Sequence, residues 1–262
     1  MSKVISLCSA KGGVGKTSCT VELACAIKDL TKKKVLVIDL DENCSLSKNI
    51  GAEINNLTTI HEVLLSKCKI DDAIQHNELF DVIAASKSLS LAPVEFADRN
   101  DIWLLGDLVE LLQSEYDYEY IFIDNAPSRS ILLSMTYVAA DYVIIPTMSD
   151  DSSIDMVFET EKDIDKLKNG KGHESHAEII GYILNNFKKS NMYDMAAETL
   201  KDHIEDLNMD IKPFIAVVNE TIKVSEVKTL HSSMYKSNKS TSVSRSFYTM
   251  AEKIIEREQE EK

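Results

Sequence analysis

The stretch Ala10-Lys11-Gly12-Gly13-Val14-Gly15-Lys16-Thr17 constrains this 262-residue chain more than any other. It follows the pattern of a glycine, four residues and then Gly-Lys-Ser/Thr, with Ala10 in the first glycine position. The run before it, Val4 to Ser9, is apolar and β-rich. The run after it, Lys16 to Leu30, carries Val21, Ala24, Cys25 and Ile27 at helical spacing, so the local reading is strand, loop, helix. Glycines let backbone N–H groups curl around phosphate oxygens without a Cβ in the way, and the start of the helix adds a favourable dipole. Lys16 is then placed for the β- and γ-phosphates and the Thr17 hydroxyl for Mg²⁺. A nucleoside triphosphate and Mg²⁺ are the expected ligands.

Further apolar runs predict more strands at Val35–Ile38, Phe80–Ala85, Tyr120–Ile123, Tyr142–Ile145, Ile179–Leu184 and Phe214–Val218. Helix-length segments separate them: Thr58–Ser66, Leu89–Ser114, Ser128–Ala139, Ile154–Leu167, Tyr193–Leu207 and Ser242–Glu260. Nearly continuous apolar strands alternating with helices predict an α/β fold, a doubly wound, mostly parallel twisted sheet of about seven or eight strands covered on both faces. Such sheets bind ligands at the carboxyl ends of their strands. The phosphate loop, Asp39 and Asp124 all fall at strand ends, so three separate pieces of sequence point to one place. No Ser/Gly/Pro-rich linker or repeat is present, and one domain over residues 1–262 is the expectation.

Asp39 and Asp41 follow Val35-Leu36-Val37-Ile38, and alternation along an extended chain sends both to the same side. Asp124 follows Tyr120-Ile121-Phe122-Ile123 and precedes Asn125-Ala126-Pro127-Ser128. Together with the string KGGVGKT, these segments resemble the deviant Walker A family of P-loop ATPases that includes ParA, MinD, the nitrogenase iron protein and the arsenite-pump ATPases. The resemblance implies that Lys11 through Ser18 (Lys11, Gly12, Gly13, Val14, Gly15, Lys16, Thr17, Ser18) cradle ATP. It implies that Lys11 reaches across a homodimer interface to the partner's nucleotide, supplying charge in trans as an arginine finger does. Asp41 would orient the attacking water, while Asp39 and Asp124 would hold Mg²⁺ through water beside Thr17. The chain departs from the family pattern at Glu42-Asn43, where Pro-Gln is common, and at Asn125-Ala126, where Thr-Pro is common.

Asn185, directly after the strand ending at Leu184, resembles the family's adenine-contacting position, since an amide offers both a donor and an acceptor to a base edge. No Asn-Lys-x-Asp string is present, which favours ATP over GTP. The stretch Phe214 to Glu226 resembles the ParA-type segment I-P-R-N-V-R-L-S-E, with Asn219-Glu220 in place of Pro-Arg and with Lys223, Ser225 and Glu226 matching; Asn219 would border the adenine. The resemblance runs from Val4 to about Glu226, and the segment from Leu46 to Ser114 carries no recognisable motif.

The formal net charge of −14 argues against a protein coated in nucleic acid over its whole surface. Thr221 to Thr249, however, holds five basic side chains against Glu226 alone, a net of +4. Lys188, Lys189, Lys223, Lys228 and Arg245 are therefore the expected contacts to non-specific DNA, salt-sensitive and without base reading. The expected function is that of a short ParA-like partition ATPase: ATP-dependent dimerisation, non-specific DNA binding, and slow hydrolysis stimulated by a ParB-like centromere-binding partner. The alternative is a MinD-like ATPase acting at the membrane. The end of the chain, Ile254 to Lys262, is too acidic for an anionic lipid surface, so no stable membrane association is expected. A location in the cytoplasm, on the nucleoid when ATP-bound, is expected; the five cysteines lack CxxC spacing and read as reduced thiols. None follows Cys68, which speaks against a cluster carrier of the same family.

Overall fold

The computed structural model describes residues 2–55, 58–207, 209, 211–221 and 223–260, without the side chains of Val224 and Ser225. Ile222 and those two side chains, in the stretch that resembles the ParA segment, thus lie outside the described residues. The strands are β1 (Lys3–Leu7), β2 (Lys34–Leu40), β3 (Ile74–Gln75), β4 (Asp81–Ile83), β5 (Tyr118–Asn125), β6 (Tyr142–Thr147), β7 (Glu178–Phe187) and β8 (Phe214–Asn219). They form one eight-stranded sheet in the order β3-β4-β2-β5-β1-β6-β7-β8. Every pairing is parallel except β3 with β4.

The helices are α1 (Lys16–Thr31), α2 (Ser45–Asn49), α3 (Ile60–Leu64), α4 (Ile70–Ala73), α5 (Ala92–Glu95), α6 (Leu104–Glu115), α7 (Ile131–Ala139), α8 (Asp151–Asn169), α9 (Asn191–Asp206), α10 (Lys223–Thr229), α11 (Met234–Ser237) and α12 (Ser242–Glu260). Strand alternation divides the core between two faces. Val35, Val37, Tyr120 and Phe122 pack with Leu23 and Ile27 of α1 and with Phe247, Met250 and Ile254 of α12. Leu36, Ile38, Ile121 and Ile123 pack with α3, α6 and α7 on the opposite face. Val143, Ile145, Tyr182 and Leu184 continue that second face under α8 and α9. Strands buried on both faces explain why the sequence shows apolar runs instead of polar alternation.

The structure corrects one long element. The expected helix from Leu89 to Ser114 is a 3₁₀ turn (Lys87–Leu91), α5, a second 3₁₀ turn (Arg99–Trp103) and only then α6. Pro93 starts α5, Phe96 leaves helical geometry, and Asp98 accepts from the Asn100 N–H to begin a new turn. Similarly, α7 begins at Ile131 instead of Ser128, behind an extended Ser130. Tyr118 and Tyr120 serve packing at the start of β5: their hydroxyls donate to Asp81 and Glu258.

Candidate nucleotide-binding site

The loop after β1 is held in a shape that needs its glycines. Gly13 and Gly15 have φ of 79° and 96°, in the left-handed region. A Cβ on Gly15 would sit 2.1 Å from the side-chain nitrogen of Asn185. That nitrogen donates to the Val14 carbonyl at 2.9 Å, so the end of β7 props the loop from behind. Gly15 caps α1 with no side chain, which leaves the first N–H groups of α1 free to face a ligand. In front of them lies a cavity of about 550 Å³, lined among others by Gly13, Gly15 to Ser18, Asp41, Lys48 and Lys228.

Lys16 is almost fully buried and donates to the Lys11 carbonyl at 3.0 Å, which arches the loop over its side chain. Burial, opposed by the Asp124 charge, pulls its ammonium below the usual lysine range. The Thr17 hydroxyl donates to Asp124 at 2.7 Å, and Thr20 reaches the other oxygen of the same carboxylate at 3.4 Å. Asp124 and Asp39 are direct partners in the β5–β2 register. Both are fully buried, and burial raises both carboxyls above the ordinary range.

Asp39, expected on the metal side, has both carboxylate oxygens engaged within the fold. One oxygen accepts from the Asp41 N–H, and the other accepts from the Ser47 N–H and hydroxyl. Its carboxylate thus anchors α2 and does not line the cavity. Asp41 does line it, and its Oδ1 accepts from both the backbone and side-chain nitrogens of Asn43 at 2.9 Å. Asn43 thereby closes the turn for which the family uses Pro-Gln, while Glu42 points to solvent. Asn125, in place of the family's Thr, is locked between Ser6 and Thr136.

Lys11 lies outside this cavity. Its ammonium donates to Asp150 and to the hydroxyls of Ser152 and Ser153, the latter two at 2.6 Å, where β6 leads into α8. Asp150 is held well below the ordinary carboxyl range by Lys11 and these two serines.

The expected DNA contacts do not form one free stripe. Lys188 pairs with Glu220 at 2.7 Å, and Arg245 donates to the Ser240 carbonyl. Lys228 lines the nucleotide cavity. Lys189 and Lys223 are exposed. Asn219 ends β8 and pairs with Phe187, two residues beyond Asn185 in β7. Sequence reading missed Asn43, Lys48 and Asp150. Asp150 alone had a usable signal, an acid just past the carboxyl end of a strand.

The donors suit Mg²⁺ bound to a nucleotide. Among the described residues no three His, Cys, Asp or Glu side chains converge to hold a metal by themselves. One hydroxyl beside one carboxylate leaves room for waters and phosphate oxygens, as Mg²⁺ prefers.

Fold and loop together define a P-loop nucleotide-binding protein. A family model described as an AAA domain matches residues 2–176. The chromosome partitioning protein ParA of Caulobacter vibrioides is 26% identical over 98% of this chain and 96% of its own length. Apo McdA of Cyanothece superposes with a TM-score of 0.83 at 21% identity, over 97% of this chain and 100% of that one. A plasmid partition protein of Borrelia burgdorferi bound to AMPPNP superposes with a TM-score of 0.80 at 24% identity, over 98% and 100%. At these identities the two structures speak for the fold. The chain belongs to the ParA/MinD family of P-loop ATPases with a deviant Walker A loop. No helix among the described residues is long and apolar enough to cross a membrane.

Proposed function

We propose that this chain is a ParA-like partition ATPase, a single P-loop domain over residues 1–262 that closes into a homodimer around ATP. The observation that carries this reading is the position of Lys11. A lysine built into a phosphate loop yet held outside its own cavity, on a partly exposed Asp150, is poised to serve a second subunit.

In this reading the cavity takes ATP. The α1 N–H groups and Lys16 bind the phosphates, and Thr17 with Asp124 hold Mg²⁺. The metal supplies charge neutralisation at the phosphates. Asp41 orients water against the γ-phosphorus; the bond to the β–γ bridging oxygen breaks, giving ADP and phosphate. Lys11 leaves Asp150 and stabilises charge on the partner's transferring phosphoryl group. Asn185 and Asn219 flank the adenine. Hydrolysis is slow, because the second lysine arrives only with the dimer, and a ParB-like partner accelerates it. Lys188, Lys189, Lys223 and Arg245 give weak contact to DNA phosphates, doubled by dimerisation.

Size-exclusion chromatography with light scattering tests the core of this. Asp41→Ala should run as a dimer with ATP and as a monomer with ADP. A monomer in both ends the sandwich mechanism. The same ATP-loaded variant should retain DNA at low salt, and absence of retention removes the DNA arm. For a MinD-like membrane role, α12 would need a free apolar face. Phe247, Met250 and Ile254 are instead spent on the core, which favours the partition reading.

A further inference from the structure

Three lysines border the nucleotide cavity: Lys16 from the loop, Lys48 from α2 and Lys228 from α10. The uncapped N-terminus of α1 adds further positive potential, and among the described residues Asp41 is the one acid in the lining. Two of the lysines are committed. Lys16 donates to the Lys11 carbonyl, and Lys48 donates to the Asn43 carbonyl at 2.6 Å. Lys228 is half-buried, and among the described residues no hydrogen bond or ion pair reaches its ammonium. Its charge is felt at Cys19 and Glu22, within the first two turns of α1. Glu22 is engaged elsewhere: its two oxygens accept from the N–H groups of Met234 and Tyr235 at 2.7 Å.

An unpaired cation beside other cations and a helix N-terminus is unfavourable until an anion arrives. The loop lysine serves the β- and γ-phosphates, and α10 follows directly on β8, whose last residue Asn219 flanks the adenine in the proposed reading, so Lys228 enters the cavity from the nucleoside side. We propose that Lys228 is a phosphate-binding residue of the nucleotide site, contacting the α-phosphate side of the bound nucleotide from α10, and not a contact to DNA. This rests on the reading that the cavity takes a nucleotide. It also gives α10, which opens the basic C-terminal stretch, a direct bond to the ligand.

Isothermal titration of the full chain with Mg²⁺-AMPPNP and with Mg²⁺-ADP tests it, using wild type, Lys228→Met and Lys228→Arg. Both ligands carry an α-phosphate, so Lys228→Met should weaken both by about tenfold, the loss of one charge-assisted hydrogen bond. Lys228→Arg should recover most of that loss. Without nucleotide, Lys228→Met should melt at or slightly above the wild-type temperature, since the side chain makes no bond there and its unpaired charge is unfavourable. Unchanged affinity for both nucleotides overturns the proposal, and so does a loss confined to AMPPNP. A lowered melting point without nucleotide, not rescued by arginine, assigns Lys228 a structural role and also overturns it. If wild type binds neither nucleotide, the reading of the cavity itself falls, a different result from any of these.

Discussion

The bond between Lys11 and Asp150 joins two side chains that are 26% and 41% exposed. Pairs this exposed are worth about 0–1 kcal/mol, so the latch can be exchanged for a partner's phosphate at little cost. Asp150→Ala should therefore leave the fold intact and tighten ATP-dependent dimerisation a few-fold, read by light scattering across a concentration series. A weaker dimer would mean that Asp150 itself serves the interface. The Asp150 carboxyl is depressed in the folded chain, so the latch contributes above its unfolded pKa and is lost only as pH falls below about 4. It stays intact at neutral pH. Gly15 makes the opposite case, a residue where one methyl matters. Gly15→Ala forces an L-residue to φ 96° and drives its Cβ into Asn185. The left-handed backbone alone costs about 1–2 kcal/mol, and a fall of several degrees in melting temperature should accompany loss of nucleotide binding. A melting curve like that of wild type would show that the loop leaves the left-handed conformation and that Asn185 gives way. The loop glycines and Lys16 were legible because a phosphate cradle allows few residue types. The role of Lys228 was not, because a sequence shows how many charges a stretch carries and not which face they meet.

Short elements around the site depend on single buried acids. Asp39 holds α2 through Ser47, whose hydroxyl in turn accepts from the Ala85 N–H. Asp39→Asn should thus destabilise the chain by about 1–3 kcal/mol in urea unfolding, leaving a buried donor unpaired. If the anchor is its whole role, the Mg²⁺ concentration needed for ATP binding stays as in wild type; a large rise would return Asp39 to the metal. Glu22 plays the corresponding part for α11, accepting from its first two N–H groups. Burial pushes its carboxyl up to about 7. An acid raised in the folded state favours folding while protonated, so its contribution is largest below the unfolded pKa near 4.5 and declines as pH rises toward 7. Wild type should lose stability relative to Glu22→Gln over that window, by at most about 1.4 kcal/mol per pH unit. Parallel curves for the two proteins would refute this. These elements, four or five residues long, left no mark in hydrophobic periodicity. The region between residues 46 and 114 was opaque for that reason: Pro93 and the Asp98 cap cut one apparent helix into four pieces.

At the scale of the whole molecule, the parallel sheet was readable because strands buried on both faces must be apolar throughout. The antiparallel β3 was not, since Ile74–Gln75 has too few residues to show a pattern. Convergence of the loop, Asp41 and Asp124 on one sheet edge follows from parallel topology, which sends the carboxyl ends of all the long strands the same way. The dimer and DNA behaviour also belong to this scale. DNA retention by ATP-loaded Asp41→Ala should fall steeply with salt, its log-log slope counting the phosphates neutralised. The strand order has a consequence in time. β1 is made first, yet its neighbours are β5 and β6, whose residues follow more than a hundred positions later. At about 5–20 residues per second, Thr17 leaves the ribosome on the order of ten seconds before Asp124. During that interval the nascent chain carries the apolar β1 without either of the strands that flank it in the sheet. In the proposed reading the metal site stays incomplete over the same interval, because its carboxylate, Asp124, has not yet been translated.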